Sequence, residues 1–202
     1  MKKNLKIGIT GGIGSGKSLV TGFIEKMGYP VIKSDDVAKD LMQNDEQVKR
    51  RIIKEFGASV YKNGILDTKF LAGNVFSSPE KVLAINSIVH PATTQKVDQL
   101  AGQLFAQHRL VFVESALIFE AEIEDQFDYV VLIYSDEKTR IERVMKRQKI
   151  SLSEIEKRIS FQMPEDQKKE LADFVIDNSS TIAELESRTG FIVTLFKSLL
   201  PQ

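Results

Sequence analysis

Residues 11 to 18 read G-G-I-G-S-G-K-S and match the pattern G-x-x-x-x-G-K-S/T. Few short segments constrain a chain so tightly. Glycines at Gly11, Gly12, Gly14 and Gly16 let the backbone curl, so that N–H groups from Gly11 to Ser18, through Ile13 and Ser15, converge on an anion. Lys17 is placed to reach β- and γ-phosphates, and the Ser18 hydroxyl to ligate magnesium. The pattern works only between a buried strand and a helix whose positive end faces the anion. Both flanks are present. Leu5 to Thr10 is a short apolar run, and Leu19, Val20, Phe23, Ile24 and Met27 recur at helical spacing before Gly28. The segment therefore predicts binding of ATP or GTP, against the alternative of a glycine-rich turn that binds nothing.

A phosphate loop of this kind belongs in an α/β fold, and the rest of the chain agrees. Further strand-like runs are Tyr29-Pro30-Val31-Ile32, Leu110 to Glu114, Tyr129 to Tyr134 and Phe174 to Ile176, separated by helical patterns. Continuous apolar strands alternating with helices predict a parallel sheet covered on both faces. The 202 residues suit one domain. The division expected is a core (about 1–35, 110–135 and 170–202), a helical substrate-binding insertion (about 36–109) and a helical lid (about 136–169). In the lid, Ser151-x-x-Glu154 or Ser153-x-x-Glu156 offers a capping box, with a turn near Lys149. Thr181 to Leu200 reads as an amphipathic helix stopped by Pro201.

The 28 basic and 28 acidic residues cancel, so bulk charge suggests neither a nucleic-acid nor a membrane partner. With no cysteine, thiolate metal sites and cysteine nucleophiles are excluded. No run is long enough to span a bilayer, and Met1-Lys2-Lys3-Asn4 leads straight into the first strand. An intracellular, cytoplasmic protein is expected.

Phosphoryl transfer needs charge neutralisation, in-line positioning and a destination for the acceptor's proton. Asp35 lies just past the second strand, at the edge where open α/β sheets hold their ligands, and is the candidate base. Its neighbour Asp36 is read as the start of a helix. Arg143 and Arg147, four apart on a helical segment, suit phosphate oxygens and transition-state charge, with Arg140 near the same face. Glu114 ends the third strand and is able to hold magnesium's water shell or to cap the next element; Glu120 is a weaker candidate. His90 is either a substrate ligand or, with Pro91, a helix start. Asn178 follows the last strand and either meets an adenine edge or serves a turn.

Taken in order, these segments resemble the dephospho-CoA kinase family over nearly the whole chain. They are I-T-G-G-I-G-S-G-K-S (9–18), V-I-K-S-D-D-V-A (31–38), V-H-P (89–91), E-S-A-L-I-F-E (114–120), R-V-M-K-R (143–147), Q-M-P (162–164) and A-D-F-V-I-D-N (172–178). The resemblance implies phosphorylation of the ribose 3′-hydroxyl of dephospho-coenzyme A by ATP and magnesium, the last step of coenzyme A synthesis. It also implies a P-loop NTPase three-layer sandwich related to nucleoside monophosphate kinases. Its five-stranded parallel sheet would have order 2-3-1-4-5, with a helical substrate domain and a lid. Asp35 matches the family's proposed base, Arg143 and Arg147 its lid arginines, and His90 its H-P pair. The chain departs from the family where Lys33 replaces an acid and where Ala116 replaces a proline. The alternatives are another P-loop small-molecule kinase, acting on a nucleoside monophosphate or a sugar acid, and a non-catalytic nucleotide switch. A guanine-reading N-K-x-D segment is absent, since no Asn-Lys pair occurs in the chain.

Overall fold

A computed structural model describes residues 3–75, 77–147 and 150–201. Gln148 and Lys149, where the sequence places the lid's turn, lie outside the described residues, as do Met1 and Lys2. The chain forms two compact units, residues 1–33 with 101–202, and residues 34–100.

In chain order the elements are β1 (Leu5–Thr10), α1 (Lys17–Lys26), β2 (Val31–Lys33), α2 (Ser34–Asn44), α3 (Glu46–Phe56), β3 (Tyr61–Lys62), β4 (Ile65–Leu66), α4 (Thr68–Val75) and α5 (Pro79–Leu104). There follow β5 (Leu110–Glu114), β6 (Tyr129–Tyr134), α6 (Glu137–Arg147), α7 (Leu152–Ile159), α8 (Glu165–Leu171), β7 (Phe174–Asp177) and α9 (Ile182–Leu199).

The larger unit is built on a five-stranded sheet, β2-β5-β1-β6-β7, in which every neighbouring pair is parallel. The order expected from sequence, 2-3-1-4-5, takes these higher labels because an unanticipated hairpin, β3–β4, adds two strands to the count. Side chains alternate across a strand. Ile7 and Ile9 of β1, Phe112 of β5, and Val131 and Ile133 of β6 therefore share one face, where Val20, Phe23 and Ile24 of α1 and Leu185, Ile192 and Phe196 of α9 cover them. The other face takes Val130 of β6, packed with Ile118 and Phe119. Burial on both faces is why these strands read as continuous apolar runs.

The smaller unit has its own core of Val48, Ile52, Val60, Leu66, Leu71, Val75, Ile85, Ile88 and Val89. Its hairpin turns at Asn63 and Gly64, whose positive φ of 52° and 78° suits the mirror-image turn that matches strand twist.

Two helix starts differ from the sequence reading. α2 opens at Ser34, so Asp36 does not begin it; Asp35 and Asp36 both sit in its first turn, where the helix dipole favours acids. Pro91 does not open a helix either, but lies inside the 26-residue α5. Proline has no N–H to give the carbonyl four residues back. Here that carbonyl, on Ser87, accepts a hydrogen bond from Arg51 Nη2 at 3.1 Å, which replaces the missing helical bond.

Candidate active site

The phosphate loop joins the C-terminal end of β1, the central strand of the sheet, to α1. Gly16 caps α1 in the left-handed region, with φ 99°. The Ser15 N–H donates to the Gly12 carbonyl at 3.1 Å and tightens the turn. Lys17 Nζ donates back to the Gly11 carbonyl at 2.6 Å, so the ammonium arches over the loop it follows. Ser15 is fully buried, and a methyl group added at Gly11 would stand 2.7 Å from its Oγ. The first N–H groups of α1 have no partner within the helix. The N–H groups of Ile13 and Ser15 do not converge on an anion as the sequence suggests, because they donate to Gln162 and to Gly12. The remaining loop dipoles, a helix N-terminus and an ammonium suit the charge and size of a nucleotide's phosphates.

Three other predicted residues join the loop in the same unit. Arg143 Nη1 donates to Ser135 Oγ (2.9 Å) and its Nη2 to the Asn178 carbonyl (2.7 Å), which fixes the guanidinium at the ends of β6 and β7. Arg147, expected to act with it, is exposed at the end of α6. Asn178 is buried, and its Nδ2 donates to the Ser15 carbonyl at 2.7 Å, so the side-chain amide faces the phosphate loop. Glu114 Oε2 accepts from the hydroxyl of Thr21, one turn along α1 from the exposed Ser18, at 3.2 Å. Lys33, which replaces the family's acid, pairs with Glu25 at 3.2 Å.

Asp35 and His90 belong to the smaller unit. Asp35 is exposed in the first turn of α2. Burial pushes the imidazole pKa of His90 below its ordinary value and keeps the ring neutral.

Sequence reasoning named Arg140 and Glu120 but missed the charged cluster they form with Glu165 and Lys168 behind the loop. Arg140 of α6 is 3% exposed, and a methyl group at Gly12 would collide with its Nη1 and come within 2.7 Å of Glu165 Oε1. Lys168 of α8, with no exposed surface, stands 2.8 Å from Glu120 Oε1 and 3.5 Å from Glu165 Oε1. Glu120 Oε1 also accepts from the Met163 N–H at 2.9 Å. Gln162 Oε1 accepts from the Ile13 N–H at 2.9 Å. Nothing local marks E-D-Q-K-K-E-L, which carries Glu165 and Lys168, as anything but a solvated helix, whereas Glu120 and Gln162 lay in segments with a signal.

A phosphate loop on the central strand of a parallel sheet, followed by an arginine-bearing helix after the next strand along, defines a P-loop kinase. A dephospho-CoA kinase family model matches residues 5–184. A dephospho-CoA kinase of Shouchella clausii is 37% identical over 180 residues, covering 88% of this chain and 91% of that protein. Among solved structures, TT1252 from Thermus thermophilus aligns at TM-score 0.82 with 33% identity, over 96% of this chain and 98% of that one. A dephospho-CoA kinase from Campylobacter jejuni, at 24% identity and TM-score 0.71, covers 94% of this chain and 95% of its own and shares the fold. The chain belongs to the dephospho-CoA kinase family, whose members phosphorylate dephospho-CoA at the expense of ATP. Among the described residues, no helix is long and apolar enough to cross a membrane.

Proposed function

We propose that this chain transfers the γ-phosphoryl group of ATP to the ribose 3′-hydroxyl of dephospho-CoA. The observation that carries the reading is the formed phosphate loop, with Lys17 arched over it, in a chain whose family match runs almost end to end. Lys17 and the first-turn N–H groups of α1 hold and neutralise the phosphates. Arg143 and Arg147 add guanidinium charge from α6, within a lid of residues about 136–169. Asp35 accepts the proton of the attacking hydroxyl, a role that an exposed carboxylate can play. His90 contributes to acceptor binding as a neutral ring. The hydroxyl of Ser18 and the carboxylate of Glu114 are hard oxygen donors of the kind magnesium takes. Magnesium bound with ATP would supply charge neutralisation on the transferring phosphate. A cytoplasmic setting is proposed from the need for ATP.

A coupled assay of ADP release tests the reading. Release is expected with dephospho-CoA but not with AMP, CMP or gluconate. Turnover confined to a nucleoside monophosphate would replace this assignment with the rival kinase. Asp35→Asn should lower kcat by about 10²- to 10⁴-fold, the range for a positioned base, while ATP binding stays near wild type. Full turnover in that variant would remove Asp35 from the role.

A further inference from the structure

Two side-chain carboxamides grip the phosphate loop, and they do so with opposite polarity. Gln162, between α7 and α8, accepts from the Ile13 N–H at 2.9 Å. Asn178, directly after β7, donates to the Ser15 carbonyl at 2.7 Å. The two grips lie on either side of Gly14, whose φ is +81°. A peptide unit is planar and trans, so its carbonyl and its N–H point in opposite directions. Holding the Ser15 carbonyl outward on Asn178 therefore turns the N–H of the same peptide, that of Gly16, toward the inside of the loop. Drawing the Ile13 N–H outward to Gln162 turns the Gly12 carbonyl the other way, where it accepts from Ser15 N at 3.1 Å and from Lys17 Nζ at 3.4 Å. The Asn178 contact is so close that a methyl group on Gly16 would collide with Nδ2, a reason for glycine there beyond its φ. Asn178 is itself held, because its own carbonyl accepts from Arg143 Nη2 (2.7 Å) and Ser135 Oγ (2.9 Å).

We propose that Asn178 and Gln162 are positioning residues for the nucleotide's phosphates. Asn178 orients the Ser15–Gly16 peptide so that the Gly16 N–H faces the phosphates, and Gln162 sets the Gly12–Ile13 peptide that anchors Lys17. The inference rests on the reading of the loop as an ATP site. It gives Asn178 a task at the phosphates rather than at the adenine.

The variants are Asn178→Asp, which sets an acceptor against the Ser15 carbonyl, and Gln162→Met, which keeps the length of the side chain and removes the acceptor. Calorimetry on the full chain should show ATP binding weakened about 3- to 10-fold in Gln162→Met and at least as much in Asn178→Asp, the scale of a lost hydrogen bond. Adenosine, which carries no phosphate, should compete with unchanged affinity. Unchanged ATP affinity in both variants, or an equal loss for adenosine and ATP, would overturn the proposal. In nucleotide-free protein, the Ile13 amide should exchange its hydrogen faster in Gln162→Met while amides in the middle of α1 keep wild-type rates; equal Ile13 rates would remove Gln162 from the proposal. That exchange measurement decides the grip even if wild-type protein shows no dephospho-CoA-dependent ADP release, an outcome that would count against the proposed function alone.

Discussion

Gly12 has no room for a side chain. Its Cα faces Arg140 and Glu165, both nearly buried, so neither can swing into water to make space. Gly12→Ala should therefore lower stability by about 1–3 kcal/mol, the range for overpacking, and weaken ATP binding. A urea titration and a nucleotide-binding isotherm would check both. The loop's residues, from Gly11 to Ser18, were legible in sequence because their pattern encodes backbone shape, which is local. Its supporters were not legible. Gln162 and Glu165 act on the loop from about 150 residues downstream, with Lys168 behind Glu165, and their side chains carry no sign of their partners. Asn178 was visible as a candidate for either an adenine contact or a turn, but which atom it would meet depended on how β7 lies beside β6.

Helices announce themselves by their ends, with mixed success here. Ser151 and Glu154 form the capping box expected of α7, with the Glu154 N–H donating to Ser151 Oγ at 3.2 Å and Ser151 N–H to Glu154 Oε2 at 3.1 Å. Thr181 caps α9 at its Glu184 N–H. Pro91 misled, because the usual rule places proline at a helix start, whereas here it lies inside α5 with the Ser87 carbonyl satisfied by Arg51, far away in sequence. The hairpin β3–β4 was missed because each of its strands has only two residues, too few to show alternation. Asp136 immediately precedes α6, the arginine-bearing helix, and accepts from the Thr139 hydroxyl (2.7 Å) and the Thr139 N–H (2.9 Å). These bonds, the hydroxyl's first, hold the carboxyl's pKa below the ordinary aspartate value. A depressed folded-state pKa contributes stability that is complete above the ordinary value and is lost as pH falls through the depressed one. The stability gap between wild type and Asp136→Asn should thus be widest near neutrality and shrink in acid, as urea midpoints at pH about 7 and about 3 would show.

At the scale of the molecule, the two units carry separate cores, and each should answer for its own defects. Phe196 lies fully buried among Phe112, Tyr129 and Phe174, with ring centroids 6.4, 5.5 and 5.3 Å away. Phe196→Ala should cost about 3–5 kcal/mol, and Ile52→Ala, fully buried in the smaller unit, about 2–5 kcal/mol. Hydrogen exchange by peptide should rise first in residues 34–100 for Ile52→Ala and in the sheet unit for Phe196→Ala. A rise spread evenly over both units by either variant would show the cores to be one. The parallel sheet was legible because its strands are apolar on both faces, whereas the smaller unit showed only helical periodicity, which does not say which helices pack together. Lys168 adds a chemical consequence to this architecture. An amine at zero exposure is out of reach of acylating reagents while α8 stays docked, whereas Lys39, with 69% of its side chain exposed, is open to them throughout. The rate at which a succinimidyl ester marks Lys168, set against the rate at Lys39, is thus a clock for how often the packing behind the phosphate loop comes undone.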